Sequence, residues 1–424
     1  MHWQPYKPMP HPVIPPLPTH PPPLEVFPYT QRLTPEHIQL LVDKIPKDFL
    51  TDDEILLLLW VVAQNKSALA FEDSEHGMYK REYFPDYVME TVHHPWQLPP
   101  IRIPDSIKSD VMTLIENQLK NHNLEYSTSS YRSCVFAVKK PHSGLRIVHD
   151  LQPLNEVSIQ DAMLPPNVVE FAESFIGFSI YGTLDLYSGF HHCLIHEDSR
   201  PLTACQTPKG SVLLTSLPMG YTNSMQEFQR ATAHIIEPLG PKKADNFVDD
   251  VSVKGPESHY GDRPIQENPN VRCFVWEYAH TLYVCLWLLA EGGATASSGK
   301  LHLATPRVSA VGYECDIHGI KPHHGIISKV MKWPTPRDVK GVRSFLGTVG
   351  ITRNWIKNYA RLAKPLTDLT RLQPHEFIWP AEAQQAFNMI KVKVTEVTVL
   401  KKLNIEWPSG LFYLILPESQ MKDR

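Results

Sequence analysis

An α+β fold is predicted for these 424 residues, and three observations predict it. Between 131 and 253 short β-rich runs (CVFAVKK, LRIVHDL, IYGTLDL, VLLTSL) alternate with helical ones such as MQEFQRATAHII. Residues 36–125 and 336–396 read mostly as helix. Hydrophobic residues make up 42% of the chain and charged residues 20%, the composition of a globular protein long enough for two or three domains.

The elements follow in order. Residues 1–35 hold twelve prolines, including PPLPTHPPP, so this stretch is extended and builds no core; it is expected to be a flexible spacer or a docking arm. The longest apolar run, ILLLLWVVA at 55–63, is half the length of a membrane span and reads as a buried helix. In IPDSIKSDVMTLIENQLK, Asp105 is placed to cap a helix with apolar residues at 107, 111, 114, 115 and 119. A long apolar helix is expected over 268–291, ended by Gly292-Gly293, with short strands near 301–304 and 309–315. Thr335-Pro336 is expected to cap and open a further helix, with Val339, Val342, Leu346 and Val349 as its apolar stripe. No internal repeat is visible.

The formal charge of −4 carries no basic signature, so contact with nucleic acid would have to come from local clustering. Such a cluster exists. Residues 321–371 contain eleven lysines and arginines against Asp338 and Asp368 alone. Among them Arg337, Lys340 and Arg343 recur at steps of three, and Lys357 follows. Cysteines 134, 193, 205, 273, 285 and 315 form no CxxC pair, which favours a reduced, intracellular setting, cytoplasmic or nuclear, and offers no zinc module. The pairs His93-His94, His191-His192 and His323-His324 lack further ligands at zinc spacing.

The informative anomaly is ADNFVDDVSVKGP at 244–256, where Asp249 and Asp250 sit side by side at the bend of an apolar hairpin. Aspartate is a poor strand former and adjacent like charges repel. Upstream, YGTLDLYSGFHH sets Asp185 between Leu184 and Leu186. Three carboxylates facing one another would repel and titrate upward unless divalent cations neutralised them. Mg²⁺ accepts carboxylates together with substrate phosphates, and two such ions roughly 4 Å apart form the clamp for in-line phosphoryl displacement.

Between the acidic elements lies TACQTPKGSVLLTSLPMGYTNSMQEFQRA at 203–231. The order LDLxxGF, LPxGxTNSxxxFQ, xVDD resembles the palm of a reverse transcriptase, closest to gypsy-type LTR retrotransposon polymerases such as those of fungal genomes. YRSCVFAVKKPHSGLRIVHDLQPLNEV (131–157) is similar to the family's fingers. VRSFLGTVGITRNWIKNYARLAKPLTDLT (342–370) is similar to its post-palm region, and RLTPEHIQLL to its leader. The resemblance implies a right-hand polymerase fold with fingers, an antiparallel palm sheet and thumb-like helices. Its expected segments are a proline-rich flexible arm (1–35), a helical leader and start of the fingers (36–125), the fingers and palm (126–325), basic thumb-like helices (326–400) and a tail without RNase H (401–424).

The family's roles carry over residue by residue. The resemblance implies that Asp185, Asp249 and Asp250 are the catalytic carboxylates holding two Mg²⁺ ions, with Leu186 lending its carbonyl. Lys140 and Arg146 would hold the incoming triphosphate, a task suited to arginine's planar fork. Phe190 would be the gate that excludes a 2′-hydroxyl. Met219 and Gly220 would line the nucleotide, Gly220 allowing close backbone approach. Arg337, Lys340, Arg343 and Lys357 would track phosphates of the template–primer.

Phe247, Met219 and the loose stretch TASSGKLHLA depart from the commonest family pattern; Lys300 in that stretch is a candidate proton donor to pyrophosphate. The expected activity is RNA-directed DNA synthesis from deoxynucleotides, with no membrane partner. The alternatives are an inactive remnant that only binds nucleic acid, an RNA polymerase on the same palm, and an interaction protein using the proline arm.

Overall fold

The computed structural model describes residues 6–92, 95–139, 144–373 and 377–396. From Tyr6 onward the proline-rich arm, expected as a spacer, lies along the core. Met9, Leu17, Phe27 and Leu33 are buried, and Lys7 N–H donates to the Tyr83 carbonyl. Prolines hold the arm extended and lack N–H groups, so it covers apolar surface with few backbone donors left to satisfy.

Helix α1 (Pro35–Val42) is capped by Thr34, and α2 (Asp52–Gln64) by a reciprocal box between Thr51 and Glu54. Leu57, Leu58, Leu59, Val61 and Val62 of α2 are fully buried, each contributing about 1.5–3 kcal/mol. After β1 (Leu69–Ala70) comes α3 (Asp105–Lys120), whose cap is Pro104. Asp105 falls inside the first turn and pairs with Arg102 instead of capping. Pro104 and its extended backbone occupy the boundary. Of the expected apolar face, Val111 and Ile115 are buried and Ile107, Leu114 and Leu119 half-buried.

The next elements are β2 (Leu124–Tyr126), the hairpin β3 (Val135–Lys139) and β4 (Leu145–His149), and α4 (Gln152–Val157). Then follow α5 (Val168–Glu173), β5 (Tyr181–Asp185), β6 (Cys205–Thr207), β7 (Gly210–Leu214), α6 (Ser224–Ile236), β8 (Ala244–Phe247) and β9 (Asp250–Lys254). Helix α7 (Cys273–Gly292) begins five residues later than the sequence predicts, because Asn268-Pro269 hold a turn closed by the Pro264–Arg272 bridge. Gly293 ends it in the left-handed conformation, φ 83°. This helix is long and apolar enough to cross a membrane, yet its most apolar window is 61% buried in the protein core.

Strands β10 (Ala296–Ser297) and β11 (His302–Thr305) precede a meander of β12 (Arg307–Ala310), β13 (Tyr313–Asp316) and β14 (Gly319–Pro322). The single strand expected over 309–315 is thus two. Val311 (φ 45°) and Gly312 (φ 91°) form a tight turn inside it. The central sheet runs β11-β5-β9-β8, antiparallel throughout, with α6 and α7 packed on it.

Helices α8 (His324–Met331), α9 (Val339–Val349), α10 (Tyr359–Leu369) and α11 (Ala381–Thr395) form a second core around Val342, Phe345, Leu366 and Phe387. Helix α9 is capped by Asp338, whose carboxylate accepts from Gly341 N–H at 2.6 Å, and not by Thr335-Pro336. Aspartate outranks threonine as a cap, and it sits directly before the apolar stripe. Val339, Val342 and Val349 are buried as expected; Phe345 joins them, while Leu346 is half-buried.

Candidate active site

Strands β5 and β9 pair in the register Asp185↔Asp250, Thr183↔Ser252, Tyr181↔Lys254. Strand alternation puts those pairs on one face of the sheet and Leu184, Val251, Gly182 and Val253 on the other, toward the helices. Only glycine fits at 182, since a Cβ there would stand 2.2 Å from Tyr278 Oη of α7. Residues directly opposed across an antiparallel pair hold their Cβ atoms about 4.5–5.5 Å apart, so the carboxylates of Asp185 and Asp250 are neighbours.

Asp249 occupies the turn between β8 and β9 beside Val248, and its carbonyl accepts from Leu186 N–H at 2.8 Å. Val248 has φ 57°, a region disfavoured for a β-branched residue. Gln229 of α6 holds the turn there. Its Oε1 accepts from Val248 N–H at 2.6 Å and its Nε2 donates to the Asn246 carbonyl at 3.3 Å.

The carboxylates stand at a rim open to solvent yet crowded by protein. Burial, then the charges of Asp249 and Asp185, push the Asp250 carboxyl up to about 6. Asp249 is raised by burial and by Asp185. The counter-charge is Lys300, whose Nζ donates to Asp185 Oδ2 at 2.7 Å. That bond, with the neighbouring aspartates, raises the lysine's own pKa. The sequence marked Lys300 from its loose stretch; the loop after β10 brings it to the aspartate. From the carboxylates a cleft of about 400 Å³ extends past Thr183, Ser252 and His302 to Arg307 and His323.

Among the described residues no group of three His, Cys, Asp or Glu side chains is gathered closely enough to hold a metal ion by itself. The donor set nevertheless suits Mg²⁺, which takes one or two carboxylates and completes its shell with water and substrate phosphates. Burial first, and the neighbouring aspartates after it, raise the Asp249 and Asp250 carboxyls, and a cation would relieve that crowding.

No protein-family model matches the chain. Among curated proteins, the retrovirus-related Pol polyprotein from the Drosophila melanogaster transposon 297 is 26% identical over 302 residues, 70% of this chain and 27% of that polyprotein. The Pol polyprotein from the Drosophila transposon gypsy is 26% identical over 275 residues, covering 63% and 24%. The Gag-Pol polyprotein of gibbon ape leukemia virus is 30% identical over 302 residues, 67% of this chain and 16% of it. The chain is a homologue of retrovirus-related Pol polyproteins. It spans about a quarter of the length of the transposon polyproteins it matches. Among solved structures, the foamy viral protease-reverse transcriptase dRH in complex with double-stranded DNA superposes with a TM-score of 0.75 at 20% identity. That match covers 90% of this chain and 63% of the other. The same protease-reverse transcriptase with an RNA/DNA hybrid gives 0.72, covering 87% and 47%. The fold is therefore that of a reverse transcriptase.

The remaining sequence-marked residues of this Pol homologue are distributed around that palm. Leu186 is buried, directly after Asp185. Phe190 lies in the 3₁₀ turn Gly189–His192, half-buried, its ring 5.3 Å from that of Phe228. Gly220 has φ 97° with open space where a Cβ would be, and Met219 beside it is 70% exposed. Arg146 is exposed on β4, in the separate two-stranded β3-β4 sheet; Lys140 lies outside the described residues, as do His93, His94 and the tail beyond 396.

Among the C-terminal helices, Lys340 and Lys357 are exposed. Arg337 precedes α9, so the basic stripe of that helix is Lys340 and Arg343 alone. Arg343 also donates from Nη2 to the Thr370 carbonyl at 2.7 Å, tying α9 to the end of α10. Gln229 closes the LPxGxTNSxxxFQ motif, but the sequence assigns it no role, because only the packing of α6 on β8 carries it to the β8–β9 turn.

Proposed function

We propose that the chain is an RNA-directed DNA polymerase that extends a primer 3′-hydroxyl with deoxynucleotides, using two Mg²⁺ ions. The observation that carries this reading is the opposition of Asp185 and Asp250 at the open end of the palm sheet, with Asp249 in the adjoining turn. Support comes from homologous Pol polyproteins and from reverse transcriptases of this fold bound to double-stranded DNA and to RNA/DNA hybrid.

Asp185 and Asp249, with Asp250 near them and the Leu186 carbonyl beside Asp185, would hold the ions. When bound, divalent cations lower the pKa of the attacking hydroxyl and offset charge on the transferring phosphoryl group. The side chains of the chain supply the positioning that dominates phosphoryl transfer. Arg146, with Lys140 assigned from the sequence alone, grips the triphosphate, and Phe190 lies beneath the sugar. Met219 and Gly220 face the template–nucleotide pair, whose close approach the bare Gly220 backbone permits. Lys300 passes from Asp185 to the leaving pyrophosphate as proton donor. Lys340, Lys357 and Arg337 track the duplex backbone.

The test is primer extension on a homopolymer RNA template with Mg²⁺. Asp249→Asn should abolish nucleotide addition while primer–template binding persists. Binding without extension by the parent chain would make it a nucleic-acid-binding remnant. Normal extension by Asp249→Asn would remove the metal role.

A further inference from the structure

One fully buried polar side chain next to the nucleotide site has no part in the reaction described above. His192 is 0% exposed and closes the 3₁₀ turn that carries Phe190. Its Nδ1 lies 2.9 Å from the Gly189 carbonyl, and its Nε2 lies 3.1 Å from Thr295 N and 3.3 Å from Thr295 Oγ1. A backbone N–H can only donate, so Nε2 is the unprotonated nitrogen and Nδ1–H donates to Gly189. Burial keeps the ring neutral, with its pKa lowered to about 3. The tautomer is therefore locked by its partners.

The bonded groups matter because of where they stand. The Gly189 carbonyl belongs to the peptide that leads directly into Phe190. Ser188, before it, is in the left-handed region at φ 50°, and Gly189 is pressed against Phe228, where a Cβ would come within 2.5 Å of Cζ. Such a short turn, glycine-led and with a strained entry, has few bonds of its own to fix it. On its other side Thr295 accepts from Tyr187 N–H at 2.8 Å through its carbonyl and from Gly77 N–H at 3.0 Å through its hydroxyl. Tyr79 N–H donates to the His192 carbonyl at 2.9 Å, and the His76 ring packs 4.6 Å from the imidazole. His192 thus bolts the gate turn to the loop after α7 and to the 76–79 segment.

We infer that His192 is a positioning residue for sugar discrimination: its two hydrogen bonds set the Gly189–Phe190 turn and so the placement of the Phe190 ring. The inference rests on the reading of Phe190 as the gate. A histidine serving only as core packing would be replaceable by an apolar side chain of similar volume; a hydrogen-bonding pin would not. Glutamine can reproduce both bonds, its Nε2–H donating to Gly189 and its Oε1 accepting from Thr295 N–H.

The experiment measures the kcat/KM ratio for one deoxynucleotide over its ribonucleotide in the parent chain, His192→Leu, His192→Gln and Phe190→Val. His192→Leu should lower the ratio about tenfold, equivalent to about 1.4 kcal/mol of discrimination, with most of the change in ribonucleotide use. His192→Gln should keep the parent ratio. Loss of discrimination in both His192 variants, or in neither while Phe190→Val relaxes, overturns the inference. If His192→Leu does not fold by circular dichroism, His192→Phe, which keeps a ring but no hydrogen bonds, takes its place and should lower the ratio in the same way; an unchanged ratio there overturns the inference. An unchanged ratio in Phe190→Val would show that the gate reading had failed first, and the role of His192 would fall with it.

Discussion

The carboxylates of Asp185 and Asp250 face each other across two paired strands, an arrangement that destabilises the fold at neutral pH. Asp250 titrates near 6 in the folded chain against an ordinary value of 3.8. Between those values the folded state binds more protons than the unfolded, so stability falls as pH rises through the window. In metal-free protein, Asp250→Asn should therefore raise Tm at pH 7.5, with the gain vanishing near pH 3.5. Equal gains at both pH values would exclude charge as the cause. Mg²⁺ should stabilise the parent more than this variant. The gate role proposed for Phe190 is one of exclusion instead: on that reading, trimming it to valine removes a clash of about 3 kcal/mol and should admit ribonucleotides roughly two orders of magnitude more readily. Single-nucleotide incorporation measures the change, and a constant sugar preference would return Phe190 to the core.

The turn between β8 and β9 is an element under strain. Val248 at φ 57° carries an expected cost of about 1–3 kcal/mol, endured because Gln229 and Asn246 bond the turn from α6 and β8. Val248→Gly relieves the strain but restores chain entropy of up to about 1 kcal/mol, so a net gain of roughly 1 kcal/mol is expected on urea unfolding. The same variant should extend primers more slowly, since Asp249 is then less firmly aimed. Destabilisation by the glycine would mean that the valine's packing outweighs its backbone strain. Element boundaries were the least legible feature of the sequence. Asp338 displaced Thr335 as a cap, Pro104 displaced Asp105, and Val311-Gly312 split one expected strand into two. In each case several residues competed within a few positions, and the capping or turn geometry of one of them bounded the element.

At the scale of the molecule, a chain of net charge −4 still presents a basic stretch, because eleven of its cations fall within residues 321–371 against two aspartates. Binding to template–primer should weaken steeply with salt. Replacing Arg337, Lys340 and Lys357 together by glutamine should reduce the log–log salt slope by about 0.9 for each phosphate that the thumb no longer neutralises. Arg343→Gln should instead lower thermal stability, since that guanidinium joins α9 to the end of α10. A salt slope unmoved by the triple substitution would place the duplex elsewhere.

By itself the sequence determined the α+β class through its periodicity, and the likeness of its motifs to reverse transcriptases pointed to the aspartates that meet at the end of the central sheet. Periodicity and motif order are local and survive in one dimension. Only the tertiary structure decided that the proline arm lies on the core and that Lys300 answers Asp185. It alone showed that Gln229 steadies the strained turn and that His192 pins the turn of Phe190. Each joins residues far apart in the chain, and such pairings exist only once burial has brought the strands and helices together.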